Sequence, residues 1–131
     1  MTVGIAWGTT LAAVVEHVIP RPMHGVRVVQ LNGGANSSST GIPYVGAIIG
    51  SLAQAWSATP TLFPVPAFFD YAETKQAMWR ERSVQTVLSL QRGVQVAAFG
   101  VGSLTATVPS HVYSRGYFDD SDMAAIREQK V

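Results

Sequence analysis

VGIAWGTTLAAVV, residues Val3–Val15, sets the course of the whole chain. The apolar run from Val3 to Trp7 has the length and composition of a short buried strand, and it stops at Gly8. Thr9 and Thr10 follow. From Leu11 the apolar residues fall at Leu11, Val14, Val15, Val18 and Ile19, the stripe of an amphipathic helix. Pro20 and Pro22 end that helix. A strand therefore passes into a helix through one glycine and two hydroxyl residues.

The same alternation recurs downstream. Val26–Leu31 (VRVVQL) predicts a second strand, closed by Asn32-Gly33-Gly34, and the polar run Ala35–Thr40 predicts a loop. A second helical stripe runs through Ile42, Val45, Ile48, Ile49, Leu52, Ala53 and Trp56, with Thr40 or Gly41 near its start. Thr61–Val65 reads as a third strand interrupted by Pro64, and Phe68, Phe69 and Tyr71 follow without a regular period. Helices are predicted over Thr74–Arg80 and Ser83–Gln91, a fourth strand over Val94–Phe99, and a last short helix over Asp119–Gln129. Strands alternating with helices, the strands nearly continuous in apolar residues, predict an α/β domain with a parallel sheet covered on both faces.

The totals narrow the function classes. At 131 residues the chain suits one domain, and 47% apolar against 13% charged residues marks a compact globular chain. Seven Arg and two Lys are scattered, for a net charge of +1, so no basic patch suits the phosphate backbone of nucleic acid. There is no cysteine, which excludes disulfides and thiolate metal sites and suits a cytoplasmic setting. No apolar run reaches the ~18 residues of a membrane span. The abrupt start at a strand and stop after a short polar helix lead us to expect a piece of a longer protein.

In an open α/β sheet, ligands bind beyond the carboxyl ends of the strands. Three predicted strands end in glycines or small polar residues there. Gly8-Thr9-Thr10 opens a helix, whose unpaired N–H groups and partial positive charge suit a phosphate, although Thr9 could equally be a plain helix cap. Gly33-Gly34 and Gly100-Val101-Gly102-Ser103 permit either close ligand approach or a tight turn. No dinucleotide or nucleotide-triphosphate glycine signature is present. His17, His24 and His111 lack metal-ligand spacing, and no cofactor is implied. Asp119, Asp120 and Asp122 read as a charged helix start before a cation site, and Phe68 and Phe69 as core residues or a sugar-facing loop.

VGIAWGTTLAAVVEHV, VRVVQLNGG, LFPVPAFF and SVQTVLSLQRGVQVAAFGVGSL, in that order and spacing, resemble the effector-binding domain of the SorC/DeoR-type sugar-responsive bacterial transcriptional regulators. The resemblance covers about residues 3 to 126. It implies a Rossmann-like fold of the NagB/RpiA/CoA-transferase type and a sugar or sugar-phosphate ligand. Carried over by position, it implies that Gly8, Thr9 and Thr10 hold the phosphate and that Asn32, Gly33 and Gly34 line the pocket beside them. Tyr44 would face the sugar, Gly100, Gly102 and Ser103 would form another wall, and Phe68 and Phe69 would lie over it. Relatives that bind phosphosugars often carry Lys or Arg where this chain has Asn32, so charge would have to come from elsewhere, for instance Arg115.

The resemblance further implies a helix-turn-helix domain outside this chain, through which operator DNA would be bound, and a homodimer or homotetramer. Three readings follow: a sugar sensor without chemistry, a sugar-phosphate isomerase or deaminase of the same fold, and a domain whose glycines only turn the chain. The first is the expectation. An enzyme needs a general base beside the sugar, and Asp70, Glu73 and the late aspartates form no recognisable catalytic motif.

Overall fold

The computed structural model describes residues 1–34, 42–103, 107 and 118–129. The elements run β1 (Thr2–Ile5), α1 (Thr9–Glu16), β2 (Arg27–Gln30), α2 (Ile42–Trp56), β3 (Thr59–Thr61), α3 (Ala72–Met78), α4 (Arg82–Arg92), β4 (Val96–Ala98) and α5 (Asp120–Gln129). The four strands form one sheet in the order β3-β2-β1-β4, every pair parallel. The α/β class and the parallel sheet are as the alternation predicts.

Both sheet faces are covered, and successive residues of β2 show why its run is apolar. Val28 and Val29 are each fully buried but on opposite faces. Val28 joins Ile5, Leu11, Val15, Ile48, Ile49 and Leu52 beneath α1 and α2. Val29 joins Phe63, Val65, Val84 and Val87 beneath α4. Of the first helical stripe only Leu11 and Val15 are buried. Val14 is 55% exposed, and the helix stops at Glu16, leaving Ile19 82% exposed beyond it. The His17 ring pairs with the Ala13 carbonyl at 2.8 Å at that end.

The third strand departs most from the sequence prediction. Thr61–Val65 is replaced by Thr59–Thr61, in register with Arg27, Val28 and Val29 of β2. Phe63 and Val65 are buried because their side chains enter the α4-side core, while their backbone has left the ladder. The Phe63 N–H donates to the Gln30 side chain, and Pro64 has no N–H to give. Pro60 within β3 is tolerated because β3 is an edge strand. α2 stops cleanly: Ser57 is left-handed at φ 51°, and the Ala58 N–H returns to the Ala53 carbonyl at 2.8 Å.

Candidate functional site

The chain steps β1, β2, β3 in one direction across the sheet and then places β4 on the far side of β1. The reversal therefore falls between β1 and β4, and the crevice beyond their carboxyl ends is where such a sheet receives a ligand. The Ala6 N–H donates to the Ala98 carbonyl at 2.9 Å, so the two strands stay paired up to that crevice.

Gly8 occupies the N-cap of α1, and its carbonyl accepts the first intrahelical hydrogen bond, from the Ala12 N–H at 2.9 Å. The cap is thus the glycine and not Thr9, which lies with Thr10 inside the first turn, both exposed. No side chain caps this helix. The N–H groups of Thr9, Thr10 and Leu11 precede the first intrahelical donor, as at every helix start. A Cβ added at Gly8 would meet no atom of the described residues within 4 Å, so among them the space above the turn is open. A Cβ at Gly100 would lie 3.6 Å from Leu11 Cδ2, which brings the end of β4 against the first turn of α1. Gly102 and Ser103 follow on the exposed chain beyond β4.

The end of β2 is tied to the same edge. Asn32 Oδ1 accepts from the Trp7 N–H at 3.2 Å, and Trp7 Nε1–H donates to the Gly33 carbonyl at 2.5 Å. Gly33 is buried, and a Cβ there would lie 2.0 Å from the Pro66 carbonyl oxygen and 2.8 Å from that of Val65. A Cβ on Gly34 would lie 2.8 Å from Val45 Cγ2, and the Gly34 N–H donates to the Val65 carbonyl at 3.1 Å. The double glycine therefore has a packing reason of its own: it lets the segment after β3 close onto the end of β2.

The two phenylalanines divide. Phe69 packs edge-on to Trp79, centroids 5.8 Å apart, and leans on the α4-side core. Phe68 is 39% exposed and packs on Phe118 at 4.6 Å. Phe69 is thus partly buried against that core, beside Trp79. Tyr44 lies in the first turn of α2, but its side chain is outside the described residues, as are Arg115, His111 and the Ala35–Thr40 run.

The late aspartates form a helix cap. Asp119 Oδ1 accepts from the Asp122 N–H at 2.8 Å and from the Ser121 hydroxyl at 2.6 Å, and Asp122 Oδ2 accepts from the Asp119 N–H at 3.2 Å. This reciprocal pair is a capping box at the start of α5. The Ser121 hydroxyl first, then the Asp122 N–H, hold the Asp119 carboxyl below its ordinary value. No group of His, Asp or Glu that could hold a metal ion occurs among the described residues, and none of their helices is long and apolar enough to cross a membrane.

Sequence reading missed the side chain that organises the edge. Gln30, the last residue of β2, is 2% exposed and bridges the Asn32 carbonyl and the Phe63 N–H. Its one signal in the sequence is an amide ending an otherwise apolar strand. Trp7, read as the end of the first strand, lies beyond it and acts as a donor.

A family model described as "Putative sugar-binding domain" matches residues 1–131. The chain is 30% identical over 129 residues to the "Deoxyribonucleoside regulator" of Bacillus subtilis, covering 98% of this chain and 40% of that protein. It is similar to the crystal structure of a domain of a possible sugar-binding transcriptional regulator from Arthrobacter aurescens, at 44% identity and a TM-score of 0.87. That match covers 98% of this chain and 48% of the other. The full-length sorbitol operon regulator SorC of Klebsiella pneumoniae shares the fold at a TM-score of 0.80 and 21% identity, over 96% of this chain and 41% of that one. The chain thus spans somewhat under half the length of these relatives.

Proposed function

Because the chain belongs to the sugar-binding domain family found in SorC/DeoR-type transcriptional regulators, we propose that it binds a sugar or sugar phosphate at the carboxyl ends of its strands. Gly8, Thr9 and Thr10 would receive the phosphate, Asn32 and the Gly33-Gly34 turn would bound the ligand on one side, and Gly100, Gly102 and Ser103 on the other. The observation that carries this is the start of α1: a helix N-terminus that no described side chain caps, with no described residue over Gly8, at the reversal of strand order. Phe68 stays a candidate for the outer wall, and Tyr44 and Arg115 for further contacts.

In the parent regulator, ligand binding would favour one arrangement of the effector domain and its oligomer. That bias changes the operator affinity of a DNA-binding domain outside this chain. Such a module acts in the cytoplasm, as a homodimer or homotetramer, and without chemical turnover. The relatives are named as regulators, which favours the sensor reading over the isomerase one.

Calorimetric titration with a panel of probes tests the proposal: ribose 5-phosphate, 2-deoxyribose 5-phosphate, glucose 6-phosphate and the three free sugars. Saturable binding of a panel member with the probe recovered unchanged supports it. Turnover of a probe would restore the enzyme reading, and silence from a folded sample would leave the glycines as turn residues only.

A further inference from the structure

Gln30 is the one buried polar or charged residue among those described, at 2% exposure. Its neighbours Val28 and Val29 are aliphatic, and an aliphatic residue in its place would fill the same space. The amide instead uses both its ends. Nε2–H donates to the Asn32 carbonyl at 2.5 Å, and Oε1 accepts from the Phe63 N–H at 3.0 Å. It thereby joins the turn after β2 to the segment after β3. The main chain at its own position is fixed from a third element, because Gln91 Nε2–H on α4 donates to the Gln30 carbonyl at 2.8 Å and the Leu31 carbonyl at 3.2 Å.

The consequence falls on Asn32. Its carbonyl is held by Gln30 and its side-chain oxygen by the Trp7 N–H. The orientation of the Asn32 side chain is therefore set by the protein before any ligand arrives, with the Nδ2 donors left over. A buried amide bonded at both ends holds the two backbone groups it joins in one arrangement.

We propose that Gln30 is a positioning residue: it fixes the Asn32–Gly34 turn so that the amide donors of Asn32 are pre-aimed at the ligand. The inference rests on the strand-end binding reading above and adds the group that pre-organises it.

Two variants separate positioning from bulk stability. In Q30E the carboxylate still accepts from the Phe63 N–H but cannot donate to Asn32. When protonated, it can donate again. Burial and the facing carbonyl both favour the protonated form, so the donor returns as pH falls. Q30M keeps the volume and offers no donor at any pH. Calorimetric Kd values for ribose 5-phosphate and 2-deoxyribose 5-phosphate, taken at pH 8 and pH 5 and expressed relative to wild type, remove the titration of the phosphate itself.

The expected result is about tenfold weaker binding for Q30M at both pH values, with Q30E closer to wild type than Q30M at pH 5, where its carboxyl is protonated and can donate. Wild-type affinity in Q30M, or a Q30E at pH 5 as weak as Q30M, overturns the proposal. Should Q30E fail to fold at pH 8, the Q30M ratio decides. Hydrogen exchange without ligand gives an independent reading. The Trp7 indole and the Gly34 amide should exchange faster in Q30M while the buried amides of α2 and α4 stay protected. Unchanged exchange at the turn overturns the positioning role. If wild type binds only another member of the panel above, the ratios are taken with that probe; if it binds none, the strand-end reading falls by itself, and the exchange data still judge what Gln30 does to the turn.

Discussion

Alanine at Gly33 is the most demanding test of how the strand-end edge is built. Its Cβ would lie 2.0 Å from the Pro66 carbonyl oxygen, 2.6 Å from the Pro66 carbonyl carbon and 2.8 Å from the Val65 carbonyl oxygen. These are backbone atoms, so no rotamer change relieves the clash. The turn and the segment after β3 must separate by roughly 1.4 Å to reach the 3.4 Å of ordinary contact. That movement breaks the Gly34-to-Val65 hydrogen bond at 3.1 Å and strains the Trp7 indole bond to Gly33 at 2.5 Å. Two weakened hydrogen bonds at about 1 kcal/mol each, with about 1–3 kcal/mol of overpacking, give a loss of roughly 3–5 kcal/mol. Against a total of about 5–15 kcal/mol for a domain, that loss leaves the variant marginal, with a fall in Tm on the order of 10–20 °C.

Urea and thermal unfolding of Gly33→Ala beside Gly50→Ala measures the effect with an internal control. Gly50 is exposed on α2, and a Cβ added there would meet nothing within 4 Å, so the same substitution should stabilise there by about 0.4–1 kcal/mol. A Gly33→Ala variant within about 1 kcal/mol of wild type would refute the close approach and the packing reason given for the double glycine.

Three further outcomes are expected. The double variant Thr9→Val, Thr10→Val should abolish sugar-phosphate binding while holding Tm close to wild type, since both side chains are exposed and neither caps the helix; calorimetry with ribose 5-phosphate reads this directly. Asn32→Lys should shift preference toward phosphorylated over free sugars, and by losing the acceptor for the Trp7 N–H it should also lower stability by about 1 kcal/mol, seen by chemical denaturation. The α5 cap should fail in acid. Asp119 sits below its ordinary value of 3.8, so its contribution is present above about pH 4 and is lost as pH falls through the lowered native value. The protection factor of the Asp122 amide, its exchange rate measured against the intrinsic rate at each pH, should fall between pH 6 and pH 2, and Asp119→Asn, a neutral cap, should flatten the profile.

The order of elements was legible because strand and helix periods alternate with glycine and proline stops between them, and the parallel sheet followed from continuous apolar strands. Misreadings arose where burial and secondary structure part company. Leu62-Phe63-Pro64-Val65 looks like a strand, but Phe63 and Val65 are buried from an irregular segment, and the ladder ends at Thr61. Val14 fits the helical stripe of α1 and is nonetheless 55% exposed, while Leu11 and Val15 are buried and Ala12 packs beside them. The sequence could point to the strand-end glycines but not to what each approaches. Gly8 has no described residue over it, whereas Gly33 faces a carbonyl of a segment more than thirty residues downstream. Gln30 was invisible for the same reason, because its two partners are defined only once β2 and the segment after β3 lie side by side.

Amide chemical shifts of the chain, followed during titration with a sugar phosphate that binds, test the central claim most directly. The account predicts that the largest changes fall at Gly8–Leu11, Asn32–Gly34 and Gly100–Ser103, with the opposite edge at Thr2, Gly25, Arg27 and Gln95 unmoved. Perturbations centred on that opposite edge, or spread without focus over the surface, would contradict a binding site at the carboxyl ends of the strands.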